Sequence, residues 1–186
     1  MSHPNNNDRI FVVTGGPGSG KTALLDALET VGFARTVEAG RGIIQDQVAI
    51  GGNALPWGAR AAFAELMLAL EMRSYALARR HDGPVFCDRG VPDTIGYLRI
   101  IGSPVPSHFH KAADIFRYHR RVLVAPPWRE IFTTDSERKQ DFAEAERTYH
   151  AMLETYAGLG YELVTLPCVP VLERLRFVLN SVLDSG

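Results

Sequence analysis

The sequence contains little cysteine, only Cys87 and Cys168 among 186 residues. Two cysteines are too few for a disulfide framework, and their spacing differs from that of zinc-binding pairs. The sequence also lacks any apolar run of about 18 residues or more, the length that a membrane-spanning helix needs. Its first residues are polar and rich in asparagine, unlike a signal peptide. These absences lead us to expect a cytoplasmic protein with no membrane partner.

An excess of charge of either sign is missing as well. Twenty basic and 21 acidic residues give a formal net charge of −1. A dedicated nucleic-acid-binding protein usually carries a basic excess, so we expect no nucleic-acid partner. The oligomeric state stays open, because the balance of acidic and basic residues does not indicate it.

Length and hydropathy patterning indicate one α/β domain. A chain of 186 residues suits one domain, which we place at residues 10–186 after a flexible tail at 1–9. Short apolar runs alternate with longer amphipathic ones, which is typical of a parallel sheet covered by helices on both faces. The predicted strands are 10–14, 35–38, 84–87, 121–125 and 161–166. The predicted helices are 20–31, 40–50, 57–80, 91–101, 108–118, 137–156 and 171–183.

A phosphate-binding loop is the most specific motif of the sequence. It matches G-x-x-x-x-G-K-[ST] and lies directly between the first predicted strand and the first predicted helix. Such glycines let backbone N–H groups surround a phosphate, and the helix N-terminus favours the same anion. The lysine reaches the β- and γ-phosphates and the threonine hydroxyl binds Mg²⁺, so we expect ATP and Mg²⁺ as cofactors. The motif residues are Gly15, Gly16, Pro17, Gly18, Ser19, Gly20, Lys21 and Thr22.

Two acidic residues follow predicted strands, where open α/β sheets bind their ligands. Asp88, after the third strand, would hold Mg²⁺ through water or accept a substrate proton, and Arg89 beside it would bind the substrate. Glu38, after the second strand, would be the catalytic base, and it would bind the substrate together with Arg41, which follows one helical turn later. The alternatives are that Asp88 and Arg89 form a solvated turn and that Glu38 stabilises the next helix through its dipole.

A basic segment follows the fourth predicted strand. We expect residues 127–142 to form a helical lid, with Arg129 and Arg138 supplying positive charge to the transition state. The alternative is a solvated helix face, because acidic and basic residues alternate from Glu137 to Arg147.

Several segments together resemble one family, the short bacterial P-loop ATPases and kinases grouped under the AAA label. The likeness covers nearly the whole chain after Ile10, and these proteins are similar to nucleoside and nucleotide kinases, including the kinase domain that acts on ribosylnicotinamide. The resemblance implies a three-layer α/β/α fold, a five-stranded parallel sheet of order 2-3-1-4-5 and an arginine-bearing lid. The segments are Gly15–Thr22, Val37–Arg41, Leu55–Trp57, Phe86–Asp93, Pro127–Arg129, Asp135–Arg138 and Gly160–Glu162.

The same resemblance implies roles for two of the acidic positions. In deoxynucleoside kinases a glutamate after the second strand is the base, and an acid–arginine pair follows the third; Glu38 and Asp88–Arg89 match these positions. The match departs in two details, because the third-strand acid is Asp rather than Glu and Gly90 replaces a serine.

Three functions compete at this point. The leading one is a kinase that transfers the terminal phosphoryl group of ATP to a hydroxyl of a small nucleoside- or nucleotide-like molecule. The second is a nucleotide-dependent switch with slow hydrolysis, for which Asp93–Gly96 formally fits D-x-x-G although no N-K-x-D motif occurs. The third is a motor of the AAA+ kind, which the arginine after Asp88 and the short chain disfavour.

Overall fold

The computed structural model describes residues 7–132 and 141–183. Five strands alternate with seven helices along this part of the chain. The strands are β1 (Ile10–Gly15), β2 (Ala34–Arg35), β3 (Val85–Asp88), β4 (Arg121–Ala125) and β5 (Glu162–Thr165). The helices are α1 (Lys21–Thr30), α2 (Ala39–Ile50), α3 (Arg60–Ala78), α4 (Val91–Ile100), α5 (Ser107–Ile115), α6 (Phe142–Gly158) and α7 (Val171–Leu183).

All strand pairs of the sheet are parallel, and the strand order is β2-β3-β1-β4-β5. The predicted fold class and strand order are therefore confirmed. Ile10 pairs with Val85 on one side of β1, and Val13 pairs with Leu123 on the other. Because every strand runs the same way, the carboxyl ends of β1, β2 and β3 meet at one edge of the sheet, where a ligand is expected.

The sheet is covered on both faces, and its central strands β1 and β3 are buried at every position. Val12, Cys87 and Val124 face a core beneath α3 to α6, whereas Phe11, Phe86 and Leu123 face a second core beneath α1 and α7. The period of two along each strand produces this division. Cys87 and Cys168 are both free thiols.

Several predictions about helices and strands need correction; the helix predicted over 108–118, for example, ends at Ile115. Strand β2 ends at Arg35 rather than residue 38 because the chain leaves the sheet after Thr36, whose N–H donates to Phe86 O at 3.0 Å. For the third predicted helix, the apolar periodicity of the sequence predicts a core face formed by Phe63, Leu66, Met67 and Leu70. Helix α3 buries Phe63, Ala64, Leu68 and Glu71, whereas Leu66 and Leu70 are 38% and 41% exposed.

None of the helices in the described ranges combines the length and the hydropathy that crossing a bilayer requires.

Candidate active site

The loop between β1 and α1 packs against backbone on two sides. Gly15 has φ +133°, and a Cβ there would lie 2.3 Å from the carbonyl oxygen of Ala125 in β4. A Cβ at Gly16 would lie 2.4 Å from the carbonyl oxygen of Ala145 in α6. Both approaches are too close for any side chain, so these positions require glycine for steric reasons. The result is a loop whose backbone is exposed toward the carboxyl edge of the sheet.

Lys21 lies inside this loop rather than in solvent. Its Nζ donates to Gly16 O at 2.6 Å and to Ser19 Oγ at 3.3 Å, and it is 8% exposed. Burial, and then the nearby Arg89 guanidinium, lower the pKa of Lys21 to about 8. A polyphosphate would compensate this desolvated ammonium with negative charge.

Asp88 is the last residue of β3 and is 7% exposed. Among the described residues nothing hydrogen-bonds its Oδ1 atom, and burial raises the pKa of this carboxyl group. A buried carboxylate oxygen without a partner is costly unless a ligand binds it. No group of three potential His, Cys, Asp or Glu ligands occurs in the described ranges. The unpartnered Asp88 oxygen and the Thr22 hydroxyl, which line the same cavity, fit Mg²⁺ that is also held by nucleotide phosphates, the kind of site that Mg²⁺ commonly occupies.

Arg89 has a backbone conformation that is unusual for a residue with a side chain. Its φ of 73° lies in the left-handed region, while its N–H still donates to Val13 O at 3.0 Å. This turn directs the guanidinium back over the loop. Its Nε donates to Glu38 Oε1 at 3.0 Å, and its NH1 donates to Gly15 O at 3.1 Å and to Asp93 Oδ1 at 3.2 Å. Burial lowers the pKa of Arg89, but the surrounding carboxylates raise it by more, so the group stays charged.

Asp93 is a further residue of the candidate site, and among the motifs of the sequence it belongs only to the formal D-x-x-G match and to the segment of family resemblance. It is 5% exposed and accepts from Thr14 Oγ1 at 2.5 Å, Gly90 N at 3.0 Å and Tyr156 Oη at 2.6 Å. Its bond with Arg89 completes a network that joins β1, α4 and α6. The D-x-x-G match around Asp93 therefore coincides with a buried anchor of the site.

Glu38 precedes α2 as its N-cap residue, but its side chain makes no capping hydrogen bond. Its carboxylate contacts Arg89 instead, and its side chain is 17% exposed. Arg41, in the first turn of α2, is exposed and faces the loop. Glu38 and Asp88 therefore both lie at the carboxyl edge, as expected if β2 and β3 are neighbours.

Two cavities meet at this edge. The first, here the loop cavity, has a volume of about 770 Å³ and is lined by Pro17–Ala23 together with Asp88, Arg41 and Arg174. The second, here the helix cavity, has a volume of about 350 Å³ and lies among α2, α3, α4 and α6. Both volumes fall within the usual range for small-ligand sites. The residues that line both cavities are Pro17, Glu38 and Arg89.

Of the predicted lid, residues 127–132 and 141–142 are described; residues 127–132 form a turn rather than a helix, and Phe142 begins α6. Trp128, Ile131 and Phe132 line the loop cavity. Arg129 is not among the lining residues of either cavity, and its guanidinium stacks on Phe142 at 4.0 Å from the ring centroid. Arg138 lies outside the described residues, so the catalytic roles of both arginines stay predictions.

Arg174 is a residue of the candidate site that the sequence analysis missed. It lies near the start of α7, is 2% exposed, and donates from NH1 to Ser19 O at 2.7 Å and from Nε to Pro167 O at 2.7 Å. Its guanidinium also lies 4.9 Å from the Trp128 ring centroid. No local motif could reveal this contact, because 155 positions separate Arg174 from Ser19.

The fold and the site together define a class of protein. A glycine-rich loop closed by a buried lysine, an acid at the end of the neighbouring strand, and a parallel sheet of order 2-3-1-4-5 are the features of a P-loop NTPase fold of the kinase-like type. Within that class, the chain belongs to the family described as AAA domain, whose model matches residues 10–174.

Solved structures show the same fold at low sequence identity. NadR in complex with NR has a TM-score of 0.68 and 17% identity, covering 95% of this chain and 51% of that chain. NadR in complex with NAD and AMP-PNP has a TM-score of 0.63 and 15% identity, and the match covers 96% of this chain and 50% of that chain. Deoxyadenosine kinase from M. mycoides with bound dATP has a TM-score of 0.62 and 12% identity, covering 95% and 100%.

The chain therefore spans about half the length of NadR and aligns with the whole of the deoxyadenosine kinase. At these identities the likeness shows the fold, and function has to be argued from the site. No curated protein matches the sequence.

Proposed function

We propose that this protein is a Mg²⁺-dependent kinase that transfers the terminal phosphoryl group of ATP to a hydroxyl of a small, nucleoside- or nucleotide-like molecule. The observation that carries the proposal is the position of Glu38. This carboxylate, paired with Arg89, lines both the loop cavity and the helix cavity. A base that takes the proton of the acceptor hydroxyl during phosphoryl transfer has to lie where the acceptor meets the terminal phosphate.

The loop cavity suits the triphosphate. Lys21 and the loop N–H groups would bind the phosphates, and Arg174 holds the loop through the Ser19 carbonyl. Mg²⁺, held by Thr22 and Asp88, would neutralise charge on the phosphate oxygens during transfer. Asp88 lines the loop cavity but is not among the helix-cavity residues, which favours the metal-side role for it over that of base.

The helix cavity suits the acceptor. In the transfer step the acceptor O–H bond breaks and its proton passes to the Glu38 carboxylate. A bond forms between the acceptor oxygen and the γ-phosphorus, and the bond from that phosphorus to the bridging oxygen breaks, which leaves ADP. Arg89 would hold Glu38 ionised and oriented, because its guanidinium is itself fixed by Gly15 O and Asp93.

The alternative of a nucleotide switch receives less support from the site. Asp93, the acid of the D-x-x-G match, lines the helix cavity rather than the loop cavity. A D-x-x-G aspartate of a switch would instead face the nucleotide.

The test is ADP release from ATP and Mg²⁺ with a panel of nucleosides, nucleotides, aminoglycosides and chloramphenicol-like alcohols. We expect at least one acceptor to raise the rate well above that without acceptor, and mass spectrometry to find the phosphorylated product. Lys21→Ala should abolish both signals, whereas Lys111→Ala, on the exposed face of α5, should keep them. An unchanged rate across the whole panel would contradict the kinase proposal.

A further inference from the structure

Glu71 is a buried carboxyl group that the proposed reaction does not use. It lies on α3, lines the helix cavity and is 4% exposed. It makes no hydrogen bond or ion pair with another residue in the described ranges. A carboxyl group in such a place carries a large desolvation cost unless it is neutral or a ligand binds it.

The surroundings of Glu71 favour the neutral acid. Burial, and then the acidic Asp93, raise its pKa well above the ordinary value, although Arg89 opposes this. Asp88 and Glu38 act in the same direction as Asp93. A neutral carboxyl group has both an O–H donor and a carbonyl acceptor, so it can pair with a ligand edge that carries one acceptor and one donor.

The walls of the helix cavity suit a flat ring. Aromatic and thioether side chains line it, and the hydroxyl of Tyr97 is a second polar atom there that is buried without a partner among the described residues. Arg60 and Arg147 also line the cavity, but both are exposed. The aromatic and thioether residues are Trp57, Phe63, Met67, Tyr97 and Met152.

We propose that Glu71 is a specificity-determining residue, which binds the amide-like edge of a neutral planar ring in the acceptor. The inference depends on the proposed kinase function, because that function makes the helix cavity the acceptor site. A phosphate next to Glu71 would meet a carboxyl group and several other acids, so the recognised end of the acceptor carries no phosphate. A positively charged ring would need an ionised carboxylate as its partner, and a neutral Glu71 does not provide one.

The test uses direct binding, so that it does not depend on turnover. Isothermal titration calorimetry in the presence of AMP-PNP measures the affinity of uridine and inosine and of their edge-blocked counterparts, 3-methyluridine and 1-methylinosine. We expect wild type to bind at least one parent nucleoside tenfold or more tightly than its methylated form. Glu71→Leu should lose tenfold or more in affinity for the parent and should no longer discriminate, whereas Glu71→Gln, which keeps a donor and an acceptor, should stay within about threefold.

The matched control is Glu65→Gln, on the exposed side of the same helix, where Glu65 contacts His108. This change should leave all affinities as in wild type, and AMP-PNP binding reports whether each variant is folded. Equal binding by wild type and Glu71→Leu would overturn the proposal, as would wild-type binding without discrimination of the methylated edge. A loss in Glu71→Gln as large as in Glu71→Leu would also overturn it, because the contact would then need a charge.

Failure of the wild type to bind any of these nucleosides would overturn the Glu71 proposal without deciding the kinase proposal. The ADP-release panel, which includes non-nucleoside alcohols, tests the kinase proposal separately. Phosphorylation of an alcohol that has no planar ring would leave the kinase proposal standing and the Glu71 proposal refuted.

Discussion

The guanidinium of Arg89 donates to the carboxylate of Glu38 at 3.0 Å, although 51 positions separate the two residues. The pair forms because β2 and β3 are neighbours in the sheet and because Arg89 has a left-handed backbone conformation. The pair places Glu38 and Arg89 at the junction of the two cavities. The second acid, Asp88, lines the loop cavity but not the helix cavity.

This arrangement predicts different defects for the two acids. Glu38→Gln should lower kcat by about 10²–10⁴-fold, because the proton acceptor is lost, and should change MgAMP-PNP affinity by about threefold at most. Asp88→Asn should instead weaken MgAMP-PNP binding and shift the Mg²⁺ titration to higher concentration. Steady-state kinetics and Mg²⁺ titrations separate the two effects. The reverse pattern would make Asp88 the base.

The steric requirement at Gly15 is a second prediction. Gly15→Ala should abolish nucleotide binding and destabilise the fold, because the new Cβ would lie 2.3 Å from the backbone oxygen of Ala125. Gly42→Ala is the matched control: a Cβ at that position in α2 meets nothing within 4 Å. That change should stabilise by up to about 1 kcal/mol through helix propensity. Urea unfolding and AMP-PNP titration measure both variants, and a Gly15→Ala protein of normal affinity would refute the prediction.

Asp93 should be important for stability as well as for activity. In the Asp93→Asn variant an amide NH₂ group replaces one carboxylate oxygen. If it replaces Oδ2, Gly90 N and Tyr156 Oη lose their acceptor; otherwise the hydrogen-bond network has to rearrange. Buried donors without an acceptor cost about 1–3 kcal/mol each, so we expect a loss of roughly 2–5 kcal/mol in the free energy of unfolding. Asp114→Asn, at an exposed position of α5, should change it little. A destabilisation of Asp93→Asn no greater than that of the control would contradict this network.

The raised pKa of Glu71 predicts a pH-dependent gain in Glu71→Gln. Above the ordinary pKa of 4.5 the unfolded chain releases this proton while the folded protein keeps it, so stability falls with rising pH until the folded pKa is passed. Glutamine has no proton to release. The Tm of Glu71→Gln should therefore exceed that of wild type near pH 8, and the difference should vanish near pH 4. Differential scanning calorimetry across this range checks the sign, and a difference that grows toward acid pH would show that Glu71 is ionised in the folded protein.

Local patterns predict the sheet and the loop, because both depend on neighbouring residues. The apolar β1, the glycines after it and Lys21 lie within one short segment, which therefore specifies the strand, the turn and the candidate phosphate-binding groups. The acids Glu38 and Asp88 are predictable for a related reason, because Asp88 ends β3, Glu38 follows β2, and the carboxyl ends of parallel strands converge.

The remaining site residues depend on contacts that no local pattern reveals. Arg174 reaches Ser19 only because α7 packs beside α1, and Asp93 is important only because Thr14 and Tyr156 converge on it. Glu71 escaped notice because the periodicity of α3 fits a face through Leu66 and Leu70, whereas tertiary packing buries a different face of the helix.

The contact between Arg174 and Ser19 has a consequence for protein synthesis. The side chain that holds the Ser19 carbonyl is translated 155 residues after Ser19 itself. The nascent chain would therefore carry the full motif long before the finished pocket exists. Tight nucleotide capture would then begin only after α7 has emerged from the exit tunnel and docked.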